Sequence, residues 1–216
     1  MRAFGALLLA SALAFGVAGG VGAADLSRGG ALAALASDDA ARRLAGIRRL
    51  AMVGRMADTE RLSAVLADAD ERNRAEAAAA LWEIWGRSGD AGIDALYKRG
   101  VAQMNRGEAT GALATFDSIV RRKPDFAEGW NKRATVLFFL GRYAESLADC
   151  DEVLKRNPLH FGALSGVGQI HSRLENFERA LEYFERALAI NPNLEGVALN
   201  VAGIRRLLEE RRRRST

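Results

Sequence analysis

Between Ile93 and Leu194, bulky apolar and small positions return on one fixed step. Leu96, Trp130 and Leu164 are 34 residues apart, as are Ala112, Ser146 and Ala180, and as are Phe116, Cys150 and Phe184. Pro124, Pro158 and Pro192 keep the same step, and the chain has no other proline. Several positions sharing one period mark an internal repeat, and a period of this length belongs to stacked helical units. Each unit reads as two helices. The first runs from about Ile93 to Asn105 and is broken at Gly107; the second runs from Glu108 to Arg122 and stops before Lys123 and Pro124. Gly141 with Asn157-Pro158, and Glu175-Asn176 with Asn191-Pro192, punctuate the next two units in the same way. Proline lacks an N–H and clashes with the preceding turn, so it ends each second helix.

Small residues (Ala134 and Gly168 in first helices, Ala112 and Ala180 in second) let helices approach, and large ones (Trp130, Leu137, Phe116, Phe184, Tyr143, Phe177) fill the space around them. One helix pair cannot bury its apolar face alone; stacking does that. The spacing therefore predicts an all-α solenoid of stacked antiparallel helix pairs, with units at about 93–126, 127–160 and 161–194. Residues 195–210 repeat first-helix spacing without a partner, as a capping helix would, and 211–216 form a basic tail.

Residues 25–90 lack proline and carry a different step. Arg43-Leu44-Ala45 and the run from Ile47 to Val53 align with Arg74-Ala75-Glu76 and the run from Ala78 to Ile84 at an offset of 31. This stretch forms an N-terminal helical extension, expected to stack on the first unit. The turn Gly86-Arg87-Ser88-Gly89-Asp90 is its boundary, with Asp90 as N-cap of the next helix.

Composition places the chain among interaction proteins. It has 216 residues, 49% hydrophobic and 27% charged, too apolar for wholesale disorder. One cysteine excludes a disulfide framework, and two histidines leave little for histidine-based catalysis. The net charge is +4, but without Arg2 and Arg211 to Arg214 it becomes −1. The basic character sits at the ends, against a nucleic-acid partner, which would want a basic face on the domain itself. Residues 3–24 are uncharged, 13 of the 22 being Ala or Gly. Arg2, an apolar run to Val17 and small residues through Ala24 read as a secretory signal peptide over residues 1–24, cleaved before Asp25. A retained anchor is the competing reading. With cleavage, the protein is exported, periplasmic in a Gram-negative bacterium, with no stable membrane anchor.

The 34-residue pattern resembles the tetratricopeptide repeat family. Gly168 and Ala134 stand where that family favours Gly or Ala, Tyr143 and Phe177 at its aromatic position, and Ala180, Phe184 and Ala187 on its Ala-Phe-Ala spacing. Ser146, Cys150 and His171 depart from it. The stretches from Trp82 to Gly89, Pro124 to Asn131 and Asn157 to Leu164 resemble small exported bacterial members. Residues 25–90 resemble the short HEAT-like repeat of the phycobilin-lyase type, in which Asp70 and Arg74 would open the second helix; a degenerate helical hairpin extending the array is the alternative.

The resemblance implies a concave groove lined by first helices. By position, its lining is Tyr97, Val101, Met104 and Asn105, then Asn131, Lys132, Thr135, Phe138 and Phe139, then Ser165, Gln169, Ser172 and Arg173, with His160 at the lip. Amides and hydroxyls would bond a peptide backbone while aromatics hold apolar side chains; packing of Phe138 or Phe139 against its neighbouring helix is the competing reading. Tyr97, Val101, Gly162 and Gly166 replace the residues of the two-carboxylate clamp that some relatives carry, so acidic chaperone tails are not expected.

Nothing points to catalysis, a metal or a cofactor. His160 and His171 have no carboxylate at ligand spacing. Cys150 falls at a core position, where a thiol is inert. No phosphate loop, Gly-x-Ser-x-Gly or His-Glu-x-x-His is present. The expected protein is a non-enzymatic adaptor or scaffold of the cell envelope that binds a protein or peptide partner. The alternatives are an accessory subunit of an envelope protease or cell-wall hydrolase, a redox protein using Cys150, and membrane-surface binding through the arginine tail.

Overall fold

The structure is a computed structural model that describes residues 26–214. The signal-peptide reading of residues 1–24 lies outside the described residues. Helices account for all the regular structure described: α1 (Arg28–Ala34), α2 (Ala40–Val53), α3 (Thr59–Ala64), α4 (Glu71–Trp85), α5 (Ala91–Asn105), α6 (Ala109–Arg122), α7 (Ala127–Phe139), α8 (Tyr143–Arg156), α9 (Phe161–Arg173), α10 (Phe177–Ile190) and α11 (Glu195–Arg214). Helices α5 to α10 form the three expected antiparallel pairs, stacked in order, and α11 packs on α10.

The close approach within each pair comes from one recurring juxtaposition. A Cβ on Gly100 would lie 2.6 Å from the Phe116 ring, and one on Gly168 would lie 2.5 Å from the Phe184 ring. Both rings are fully buried. Two glycines therefore leave room for two phenylalanines, and the middle pair solves the same packing with Ala134 and Cys150, buried in one cluster. Ser146 adds a hydrogen bond there, its hydroxyl donating to the Ala134 carbonyl at 2.8 Å. The turn inside each pair needs a left-handed residue. Gly107 and Gly141 have φ +73°, and Glu175, 34 residues on, has φ +58°. Glycine takes that conformation freely and glutamate does not.

The N-terminal extension is two helix pairs that share one device. Asp39 caps α2 and Asp70 caps α4, each accepting from a backbone N–H at the helix start. Arg43 Nη1 donates to the Ser37 and Asp38 carbonyls, and Arg74 Nη1 donates to those of Asp68 and Ala69, 31 residues later in each case. Each arginine also reaches forward to the next layer. Arg43 makes a two-point bond to Asp68 at 2.6 and 2.8 Å, and Arg74 Nε donates to Asn193 Oδ1 at 3.0 Å.

That second reach corrects an expectation. The extension shares its core with the third pair, not the first: Leu81, Ile84 and Trp85 are buried with Phe161, Leu164 and Ala187, and Tyr183, Ile190 and Leu194 pack against them. Asn193 Nδ2 also donates to the Leu66 carbonyl at 2.7 Å. The chain thus turns at residues 86–90 and lays its N-terminal helices across the array. A further difference lies at the other end, where α11 continues through Arg214. Residues 211–214 are helical, and Arg211 lies over the Phe177 ring at 4.8 Å.

Candidate functional site

The first helices of the second and third units, α7 and α9, diverge around a cleft of about 510 Å³. Asn131, Thr135, Phe138 and Phe139 supply one wall, and Gln169, Ser172 and Arg173 supply the other. Gly162, Ala163, Gly166 and Ile170 of α9 line it too, with the buried Ala134, Ser146, Cys150 and Phe184 beneath and Asn200 of α11 completing the lining. Gln169 Nε2 donates to Ser165 Oγ at 3.3 Å, which fixes one polar group on the α9 side. Phe138 is half-buried and meets Phe139 edge-on at 5.6 Å. Phe139 is 75% exposed, the most exposed large apolar residue described.

The expected lining therefore divides. Asn131, Thr135, Phe138, Phe139, Gln169, Ser172 and Arg173 come together. Val101 and Met104 instead pack on the core of the first pair, and Asn105 is exposed at the end of α5. Ser165 is buried behind Gln169. Tyr97 and Lys132 face a second concavity, of about 590 Å³, shared with Trp82, Glu83, Gly86 and Asp94.

His160 is not at a lip. Its ring is fully buried, Nδ1 accepts from the Ala163 N–H at 3.0 Å and so caps α9, and Nε2 faces Glu128 Oε2 at 2.9 Å. The acceptor role of Nδ1 leaves the ring proton on Nε2, which donates to the carboxylate. Glu128 is itself 1% exposed. It also accepts from Asn131 Nδ2 at 3.0 Å and Tyr97 Oη at 3.2 Å, and it pairs with Lys132 Nζ at 3.0 Å. Burial pushes the Glu128 carboxyl up, but the His160 hydrogen bond and the Lys132 ammonium outweigh it and hold it at about 2. Burial, with the Glu128 charge behind it, pushes the Tyr97 phenol well above its ordinary value.

Trp82 and Trp85 of α4 cover this cluster, a role the sequence did not mark. Trp85 stacks on the His160 ring at 4.6 Å, and Trp82 meets it edge-on at 5.3 Å. Lys132 Nζ lies 5.4 Å over Trp82, and the Trp82 ring would collide with any Cβ on Gly162. Helix α4 therefore occupies the N-terminal end of the concave face, and what stays open is the end built around Phe138 and Phe139. The aromatic content and alanine-rich flanks of α4 gave no sign of this, because the contacts join residues about 80 positions apart.

Chemistry is muted. Cys150 is buried, and desolvation, with Asp149 and Asp151 beside it, pushes its thiol up to about 12. His171 stacks on Tyr183 at 6.0 Å, and burial lowers its pKa. No group of three potential metal ligands exists among the described residues. No described helix is long and apolar enough to cross a membrane.

Paired helices on a 34-residue step, with a cleft between successive first helices, define a helical-repeat solenoid. Family models described as tetratricopeptide repeat match residues 94–125 and 131–195. A TPR repeat-containing protein of Rhizobium etli is 40% identical over 108 residues, which is 50% of this chain and 53% of that protein. The Hsp70-Hsp90 organizing protein of Triticum aestivum is 25% identical over 99 residues, 46% of this chain and 16% of that protein. The chain thus spans about half of the Rhizobium protein and much less of the wheat one. Among solved structures, the Sgt2 TPR domain from Aspergillus fumigatus superposes with a TM-score of 0.54 at 20% identity, covering 57% of this chain and 83% of that one. The first TPR of Spaghetti, bound to an HSP90 peptide, gives 0.53 at 22% identity, covering 54% and 93%. Over those two matched stretches the chain carries tetratricopeptide repeats.

Proposed function

We propose that this protein is a non-enzymatic adaptor of the bacterial cell envelope that holds a protein or peptide partner in the cleft between α7 and α9. The observation that carries this is the exposed Phe139 beside Phe138, lining one cleft with Gln169, Ser172 and Arg173. An apolar side chain of the partner packs on the two rings, while the amide, hydroxyl and guanidinium groups bond its backbone. The Spaghetti repeat holds an acidic HSP90 peptide, SRMEEVD. Here Tyr97, Val101, Gly162 and Gly166 offer no cation at the clamp positions, so the partner is read by its apolar side chains. The envelope assignment rests on the leader-like residues 1–24, and the N-terminal extension is read as two HEAT-like units that brace the array.

The test is selection of a random peptide library on the purified protein, followed by affinity measurement with Phe139→Ser and Gln169→Ala. Enrichment of peptides with a common apolar residue, weakened about tenfold or more by Phe139→Ser, supports the reading. Failure to enrich, or binding indifferent to both substitutions, ends it. Cell fractionation with N-terminal sequencing checks the location: a periplasmic chain beginning at Asp25 is expected.

A further inference from the structure

The two sides of α11 carry different residues on one spacing. Val197, Val201, Ile204 and Leu208 lie at i, i+4, i+7 and i+11 and pack with Phe177, Leu181 and Phe184 of α10. Two positions earlier on the same spacing, Glu195, Leu199, Ala202 and Arg206 are all exposed. Two residues turn a helix by about 200°, so this second stripe faces directly away from the core. A terminal helix of a repeat array needs a polar outer face. This one puts Leu199 at its middle, 73% exposed and second only to Phe139 among the large apolar residues described. Gly196 and Gly203 flank the stripe, and a Cβ at either would meet nothing within 4 Å. The middle of the face is thus one protruding apolar side chain among Ala202 and two glycines, low enough for another helix to come close.

The ends of the stripe carry opposite charge. Glu195 opens α11, and Arg206 lies three turns on, about 16 Å away. Among the described residues neither has an ion pair or a side-chain hydrogen bond, whereas Arg205 and Arg211, on other sides of the helix, pair with Glu185 and Glu175. Read in reverse, the stripe (negative, leucine, alanine, positive) complements itself. Two copies of α11 laid antiparallel about a two-fold axis between residues 200 and 201 set Glu195 against the partner's Arg206. They also set Leu199 against the partner's Ala202 and the partner's Gly203, and symmetry repeats each contact. A parallel arrangement would put like charges together. We infer that this face of α11 pairs with the same face of a second copy of the chain, giving an antiparallel dimer with an isologous interface. Three helical turns make a contact smaller than a standard interface, so the dimer is weak and concentration-dependent. The cleft opens beside this seam, since Asn200 lines it, and each dimer carries two clefts related by the same axis.

Sedimentation equilibrium of the purified protein, from about 10 μM to about 1 mM, should show monomer passing to dimer within that range. Leu199→Ser should weaken the association about tenfold or more. So should Gly203→Gln, for which the lone chain has room and the paired helix does not. Glu195→Arg and Arg206→Glu each bring like charges together at both ends of the seam, and each should weaken self-association about tenfold. Mixing these two variants should restore it, because every contact between positions 195 and 206 in the mixed pair joins opposite signs. The chain carrying both substitutions should dimerise as the wild type does. Mixing cannot repair a folding defect, so the rescue reads the interface alone. A protein that stays monomeric throughout the range overturns the inference. So does association that runs past two copies, a dimer indifferent to Leu199→Ser or to the charge reversals, or single variants that fail to associate when mixed.

Discussion

Glu128 and His160, 32 residues apart, meet at 2.9 Å with both side chains buried. The pair joins the first turn of α7 to the residue that caps α9, so it sets the offset between two successive units. Tyr97, from the unit before, and Asn131 and Lys132, from the same helix, complete the carboxylate's partners. Removing the carboxylate strands all of these groups at once. Glu128→Ala is expected to cost about 3–5 kcal/mol of unfolding free energy. Glu128→Gln, which keeps the shape, should cost less. Urea unfolding measures both, and a loss under ~1 kcal/mol for the alanine variant would show that the cluster contributes little.

The same cluster gives the protein a pH dependence of known sign. The Glu128 carboxyl sits at about 2 in the folded protein against an ordinary 4.5. A lowered folded value means that the unfolded chain binds the proton first. Stability from this group is therefore complete above about pH 4.5 and is lost as the pH falls towards 2. Asp58 and Asp68, held down by hydrogen bonds from Arg28 and Arg43, add losses in the acid range. The informative quantity is the difference between wild type and Glu128→Gln. It should shrink steadily as urea midpoints are taken from pH 5 to pH 2, and a constant difference would contradict the assignment.

The pairing of small and large residues across each helix pair predicts a compensating exchange. Gly168→Ala places a methyl group 2.5 Å from the Phe184 ring and should cost about 1–3 kcal/mol. In the middle unit, Cys150→Phe alone should overpack against Ala134 by a similar amount. Adding Ala134→Gly should recover most of that loss, because it recreates the arrangement of Gly100 with Phe116 and Gly168 with Phe184. A double-mutant cycle by thermal unfolding reads the coupling, and strict additivity would sink the packing account.

The repeat array was legible in the sequence because periodicity is a local signal. The turn glycines, the prolines and the core positions at 116, 150 and 184 all recur on one step, so helix limits followed to within a few residues. What escaped was everything that crosses the period. His160 follows Pro158 and read as a residue of the groove lip. Only the fold shows its ring turned inward to cap α9 and meet Glu128. Glu128 itself carried no mark, since an acidic residue in a helix's first turn is ordinarily a solvated partner of the dipole. The docking of α4 is the extreme case: Arg74 and Asn193 are 119 positions apart, and no pattern within either segment names the other.

Cys150 offers a direct check on the proposed non-enzymatic role. Desolvation and the neighbouring Asp149 and Asp151 hold the thiol at about 12, so almost no thiolate exists at neutral pH. In the native protein, maleimide should label it only at the rate of opening, and in urea within minutes. Fast, complete labelling of the folded protein at pH 7 would reopen a redox role.

Glu175 is the one non-glycine residue described with a positive φ, at the position where the two earlier units use Gly107 and Gly141. An L side chain in that region crowds the following carbonyl. Glycine relieves the strain but adds unfolded-chain entropy, so the two effects partly offset each other. The side chain's contact with Arg211 is 3.5 Å and exposed, and contributes little. Glu175→Gly should therefore stabilise the protein by about 0.5–1 kcal/mol, and the mirror change Gly141→Glu should destabilise it by about 1 kcal/mol. Thermal midpoints of the two variants should move in opposite directions. If both fell, the turn of the third unit would owe its shape to Glu175 itself, through its side-chain contacts, rather than tolerating it.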